Sequence, residues 1–282
     1  MPIHGDRVQQ QALIDRAAAR PSLTSSLASL ISYRELVRNL VVKDLTLKYR
    51  GSILGFFWSL VNPVATVAVY TFAFRYILNI QQPGFPVFIL LGVLAWSFFA
   101  NSAVMATGAL VEGASLLKAV RFPSTVLPLA TVLFNLVQYL LTICTLLPLM
   151  FLVYRLPPAG PVLVFPVFLA LQVLFTIGLA LMLAAATTYF RDVRHFVDIA
   201  LSLLFWTTPI VYPLSQLPPS LRGALLASPM SPFVVAYQRI FYYGDWPGGA
   251  VWLGASVYGV GMFLLGFWWV LPLEDRLAEQ LG

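Results

Sequence analysis

The chain has 282 residues, 60% of them hydrophobic and only 10% charged, where soluble domains run at about 45–50% and about 25%. No soluble core of this length hides so much apolar surface, and the single cysteine, Cys144, excludes an internal disulfide framework or a cysteine metal cluster. The net charge of +6 would suit a nucleic-acid binder in a soluble chain. Here the cations collect at the N-terminus and between long apolar runs, as cytoplasmic loops of membrane proteins do, and no nucleic-acid partner is expected.

In chain order, residues 1–25 predict a flexible tail. Asp6, Arg7, Asp15, Arg16 and Arg20 leave it no apolar core, so no cleavable signal is expected. Pro21-Ser22 then breaks the chain. An amphipathic helix follows within 26–53, where Leu36, Leu40, Val41, Leu45 and Leu47 recur near helical spacing and Arg34, Arg38, Lys43, Lys48 and Arg50 cover the remaining surface. Such a helix lies in the membrane interface with its basic face toward anionic headgroups.

Six spans are predicted, at about 54–78, 86–110, 126–153, 161–189, 196–213 and 249–272, with a short tail at 274–282. The fifth is short and runs into Thr207-Thr208-Pro209, so it is expected to break or bend. Pro63, Pro128, Pro148 and Pro166 are candidate kinks. Cation counting orients the bundle: thirteen Lys and Arg fall on one side and only Arg155, Arg222 and Arg239 on the other. Both ends are therefore expected in the cytoplasm. Arg75 remains, near the outer end of span one. It reads as a snorkelling cation, or as one that meets an anionic substrate leaving the bundle.

Two connections and one loop stand out. Between spans two and three, the segment from Val111 to Pro128 includes Glu112, Gly113, Leu116, Leu117, Lys118 and Arg121. A short helix there should end before Pro123. The segment is too long for a tight turn and too apolar for a free loop, so it docks on a cytoplasmic partner or rests on the bilayer. Arg191-Asp192, before span five, is either a charge cluster at a helix start or a second docking point. Residues 214–248 have few charges and many aromatics. Two short helices, around 219–227 and 231–242, are expected to dip back as an external gate, the alternative being a surface cap.

No catalytic site is evident. There is no G-x-x-x-x-G-K-[ST] phosphate loop and no H-E-x-x-H, and His4 and His195 are far apart. No carboxylate pair sits in mid-span, as a proton-coupled pump would often show. No cofactor or metal is expected on this chain. Aromatics are the richer signal: Phe57 and Trp58, Tyr70 and Phe74, Trp96 and Phe99, Phe205 and Trp206, and Phe233 and Tyr237. Interfacial belts account for some of them. Rings that lie deeper stack on sugars and would let a glycan pass without tight sequence specificity.

The stretch from Leu36-Val37-Arg38 through Asp44-Leu45-Thr46-Leu47-Lys48-Tyr49-Arg50-Gly51-Ser52-Ile53-Leu54-Gly55, followed by Trp58-Ser59-Leu60-Val61-Asn62-Pro63, resembles the entry to span one in the permeases of bacterial type-2 ABC exporters for polysaccharide. Leu117-Lys118 with Arg121-Phe122-Pro123, Tyr189-Phe190-Arg191-Asp192-Val193, Ser231-Pro232-Phe233, and Leu273-Glu274-Asp275-Arg276-Leu277-Ala278-Glu279 agree in order, over about residues 30–280. The resemblance implies an all-α integral membrane permease of the inner membrane that works as a homodimer with two copies of a separate ATP-binding subunit, which would use the ATP and Mg. It implies a coupling helix in the 111–124 loop and gate helices in 214–248. The implied substrate is an undecaprenyl-diphosphate-linked glycan, such as an O-antigen, teichoic acid or capsule chain, with Lys43, Lys48, Tyr49 and Arg50 at its entry. Ala255-x-x-x-Gly259 on span six, or span one with span five, are candidate pairing surfaces. Rival readings are a permease for a drug or another lipid, a membrane-embedded glycosyl- or acyltransferase, and an envelope scaffold.

Overall fold

The computed structural model describes residues 32–77, 82–120, 122–154, 160–216 and 218–273. Arg121, Arg155, the 1–25 tail and the 274–282 tail lie outside the described residues. Among the described residues the structure is all-helical, with no strand. Helix α1 is Arg34–Tyr49 and α2 is Phe57–Phe72, continued by a wide π-helical turn, Ala73–Ile77. Then come α3 (Phe85–Glu112), the short α4 (Ala114–Ala119), α5 (Val126–Tyr154), α6 (Phe165–Tyr189), α7 (Val193–Thr207), α8 (Pro219–Leu226), α9 (Ser231–Gln238) and α10 (Gly249–Val270).

Five of these, α2, α3, α5, α6 and α10 with their adjoining turns, are long and apolar enough to cross a membrane. The fifth expected span differs. Helix α7 has 15 residues, or about 22 Å, short of the ~30 Å hydrocarbon core. Thr208 leaves the helix in an extended conformation (φ −100°, ψ 133°) because Pro209 disfavours helix in the residue before it. The chain continues through Thr208, Ile210 and Val211, all buried. Two of the four proposed kinks are absent as well. Pro166 sits in the first turn of α6 and Pro128 in that of α5, where a missing N–H costs nothing. Pro63 and Pro148 are interior. Cys144 is exposed on α5, not buried as a small apolar side chain would usually be.

Helix α3 is the centre of the bundle. Its apolar stretch is 72% buried, against 6% for α2, so α2 is peripheral and keeps most of its surface for lipid or for another chain. On the far side, α6 and α10 pack backbone to backbone. A Cβ on Gly178 would lie 2.1 Å from the Met262 carbonyl oxygen, and one on Gly266 would lie 2.3 Å from that of Gly178. Lipid tails are as apolar as side chains, so helices here gain from close van der Waals approach, which small residues permit. Gly259 belongs to the same seam, its missing Cβ 2.7 Å from the Leu171 carbonyl, and Ala255 is fully buried. The Ala255–Gly259 pair is therefore spent inside the chain, not on a surface that could pair two copies.

Helices α8 and α9 form a two-helix arm around the turn at 227–230, and α9 is buried in the bundle. At its tip, the Ala227 carbonyl accepts the Tyr258 hydroxyl at 2.5 Å, nine residues or about 13 Å into α10. Pro232 rests on Gly254. Phe233 packs on Phe175, ten residues into α6, and Phe241 on Phe165 at its start. Tyr242 donates to the Pro83 carbonyl just before α3. Three buried polar side chains pin this arm. The Tyr237 hydroxyl donates to Gln172 Oε1 at 2.6 Å, Gln172 Nε2 donates to the Ala95 carbonyl at 2.9 Å, and Gln238 Nε2 donates to the Pro209 carbonyl at 2.9 Å. Tyr237→Phe strips one donor and leaves a buried amide oxygen unpaired. The expected cost lies between the ~0.6 kcal/mol average for interhelical hydrogen bonds in a bilayer and ~3 kcal/mol for a buried orphan. Thermal unfolding of the purified chain in detergent measures it.

Candidate functional site: a polar tract along the central helix

The turn joining α1 to α2 explains the entry motif physically. Gly51 and Gly55 both have positive φ (74° and 49°), conformations that only glycine adopts without strain. Ser52 Oγ accepts the Gly55 N–H at 3.0 Å. The Tyr49 hydroxyl meets Ser59 Oγ at 2.7 Å. This turn leaves α1 placed so that Val37, Leu40 and Val41 pack inward and its C-terminal turn lies beside α5.

Two cavities open along one face of α3 as a result. The lower one, about 710 Å³, lies between α1, α3 and α5 and is lined by Lys43, Asp44, Asn101, Glu112 and Arg194, among others. The upper one, about 390 Å³, is walled by Trp58, Asn62, Trp96, Asn101, Gln138 and Phe205, with Ser59, Ser97, Thr66, Thr142, Tyr139 and Pro63. Lys48, Asn101 and Asn135 line both, so the two form one tract from the lower end of α3 past its middle. Neutral amides and hydroxyls inside apolar spans are expensive unless they face a wet cavity or one another. Asn135 donates to the Thr131 carbonyl at 2.9 Å. Gln138 Nε2 and the Tyr139 hydroxyl find no protein partner.

Lys48 stands at the junction. Its ammonium donates to Gln138 Oε1 and lies 5.9 Å from the centre of the Phe134 ring. Burial lowers its pKa from the ordinary lysine value. Among the described residues no carboxylate pairs with it: Asp44 is 3.3 Å from Lys43, and the other ion pair is Arg38–Glu35. A cation that lines both cavities and meets only a neutral amide there retains its attraction for an anion.

The other nominated residues separate into groups. Lys43 lines the lower cavity, Tyr49 braces the turn, and Arg50 is exposed beyond the helix end. Trp58, Trp96 and Phe205 wall the upper cavity. Tyr70 stacks on Phe205 with ring centres 6.0 Å apart, and Phe74 packs on Phe85. Phe99, Phe233 and Tyr237 are sealed in the core beside Phe175 and Phe165 and line neither of these two cavities. Phe57 and Trp206 face outward. In the segment between α3 and α5, Glu112 and Gly113 line the lower cavity, Leu116 and Leu117 pack partly on the core, and Lys118 lies in α4. Arg191 and Asp192 are at the start of α7. Asn62, Ser97, Asn101, Asn135, Gln138 and Arg194 escaped sequence reasoning. Their signal, Arg194 apart, was polar side chains within otherwise apolar spans, with Ser97 and Asn101, and Asn135 and Gln138, at helical spacing.

A family model for the ABC-2 type transporter matches residues 35–242. The chain belongs to the ABC-2 type transporter family. The match begins on α1 and runs through the entry turn, both cavities and the α8–α9 arm. Among curated members, the O-antigen export system permease protein RfbA of Myxococcus xanthus is 39% identical over 218 residues, 76% of this chain and 82% of that protein. RfbA of Klebsiella pneumoniae is 29% identical over 202 residues, covering 72% and 78%. The polysialic acid transport protein KpsM of Escherichia coli is 23% identical over 203 residues, covering 69% and 76%. This ABC-2 protein is thus a membrane permease related to polysaccharide exporters.

Proposed function

We propose that this chain is the permease half of an ATP-driven exporter that moves an undecaprenyl-diphosphate-linked polysaccharide of the O-antigen type from the cytoplasm across the inner membrane. Two copies form the channel, and two copies of a separate nucleotide-binding subunit hydrolyse ATP with Mg. Both chain ends lie in the cytoplasm. The single observation that carries the reading is Lys48, a cation with no acid partner among the described residues, at the junction of a polar, aromatic-walled tract. Lys48 meets the diphosphate, with Lys43 and Arg194 on the approach. Trp58, Trp96 and Phe205 stack on sugar rings, while the amides exchange hydrogen bonds with hydroxyls.

Helix α7 and the extended segment 208–213 together make the fifth crossing. The α8–α9 hairpin is the outer gate. The copies pair through α2 and α7, whose apolar faces carry exposed Val69 and Phe72, and Phe196, Ile199 and Leu203. Helix α4 seats in the ATPase subunit. Leu117→Asp is therefore expected to leave ATP hydrolysis by the complex largely intact while export falls at least tenfold.

Cells lacking this chain test the reading as a whole. Lipid-linked glycan should accumulate on the cytoplasmic side and surface glycan should vanish, and both should be restored only when the chain and its ATPase are supplied together. Normal surface glycan in the deletion strain would sink it.

A further inference from the structure

A third, smaller cavity lies at the end of the bundle away from α1. It measures about 230 Å³ and is lined by Phe88, Gln238, Arg239, Tyr243 and Asp245, with Leu214 and Val235 behind. It sits on the α3 face that carries Gly92 and Trp96 at four-residue spacing, and Trp96 walls the upper cavity. The backbone here is unusual. Arg239–Tyr243 is a π-helical turn that ends on Gly244 at φ +71°, and the Asp245 N–H donates back to the Arg239 carbonyl at 2.9 Å. Wide turns of this kind recur at functional sites. This one turns the side chains of Arg239, Tyr243 and Asp245 into one small space.

Neither charge is spent elsewhere: among the described residues the ion pairs are Arg38–Glu35 and Lys43–Asp44. Phe88 and Tyr242 brace the Tyr243 ring edge-on, at 6.3 and 4.9 Å between ring centres. Tyr243 as a residue is 45% exposed, so part of it stays open to a ligand. The chemistry selects against ions. Arg239 and Asp245 offset one another, so neither a phosphate nor an ammonium gains a net attraction here. A ring rich in hydroxyls and without charge satisfies both, taking donors from the guanidinium and an acceptor from the carboxylate, while its C–H face lies on Tyr243. The volume falls below the ~300–1,000 Å³ of sites for drug-sized ligands, which limits occupancy to one ring.

We propose that this cavity is a monosaccharide subsite, holding one neutral pyranose unit of the glycan as it leaves the permease. The proposal rests on the export reading above. It is tested on the complex of this chain with its ATPase in nanodiscs. The probe is the soluble oligosaccharide released by mild acid from the cell's own surface polysaccharide, with binding followed by saturation-transfer NMR. Arg239→Gln and Asp245→Asn are each expected to weaken binding at least fivefold. Tyr243→Ala should abolish it and Tyr243→Phe should retain it, with basal ATP hydrolysis unchanged in all four. Absence of binding to the wild type, equal binding by the Arg239 and Asp245 variants, or equal loss in both Tyr243 variants would each overturn the subsite. Export of the lipid-linked glycan by the wild type, measured in parallel, reports on the transport reading separately.

Discussion

Gly178→Ala is expected to cost the permease a large share of its stability. The added methyl would stand 2.1 Å from the Met262 carbonyl oxygen and 2.4 Å from its carbon, and the obstacle is backbone that cannot swing aside. Overpacking by a methylene in a core that can adjust costs about 1–3 kcal/mol. Here two helices must part along the whole α6–α10 seam, so the loss should reach or pass the top of that range, against the ~5–15 kcal/mol that holds a typical native state. Gly266→Ala attacks the same contact from the other helix, 2.3 Å from the Gly178 carbonyl oxygen, and should be as severe. Gly261, also on α10, has nothing within 4 Å of its missing Cβ. Gly261→Ala should be neutral or slightly stabilising through helix propensity. Thermal unfolding and monodispersity in detergent read all three. If Gly178→Ala melts with the wild type, the close seam is not what holds these helices.

Lys48→Met should reduce export at least tenfold without disturbing assembly or ATP hydrolysis. The substitution keeps the apolar stem and removes the charge at the junction of the two cavities. A general attraction of basic residues to the membrane surface, worth about 1 kcal/mol per cation, predicts something else: Arg38→Gln on the same helix would then do equal damage. Arg38 is exposed and pairs with Glu35 at 3.7 Å, so its loss is expected to matter less than twofold. The pH profile adds an independent sign. Burial lowers the Lys48 pKa, so the ammonium gives up its proton at a lower pH than an exposed lysine does. Export should decline early on the alkaline side, and Lys48→Arg, which stays charged, should move that decline upward. The charged and titratable neighbours are Lys43, Asp44, Glu112 and Arg194 in the lower cavity and Tyr139 in the upper. A profile that Lys48→Arg leaves unmoved would point to one of them instead.

How much of this was legible in advance depends on what the residues had to do. The entry turn was visible as a motif because two positive-φ positions admit almost nothing but glycine. The end of α7 was visible because Pro209 acts on its immediate neighbour. Helices at 219–226 and 231–238 could be placed because Pro219 and Pro232 mark first turns. The cavity walls were not visible. Asn101 and Gln138 lie on different helices, and nothing in either run states that they will face one space. The aromatics misled for the same reason: Phe99 and Phe233 look like Trp58 and Trp96 in a sequence, and only packing shows that one pair is sealed and the other open. Gly178 and Gly259 read as ordinary small residues until α6 and α10 meet.

Transport in liposomes tests the central claim most directly. This chain and its nucleotide-binding subunit would be reconstituted together with an undecaprenyl-linked glycan, and the fraction of glycan reaching the far leaflet would be followed. Translocation is expected to require ATP and both subunits, and to fall at least tenfold with Lys48→Met. Translocation or modification of the lipid-linked sugar by this chain alone, with no ATPase present, would contradict it.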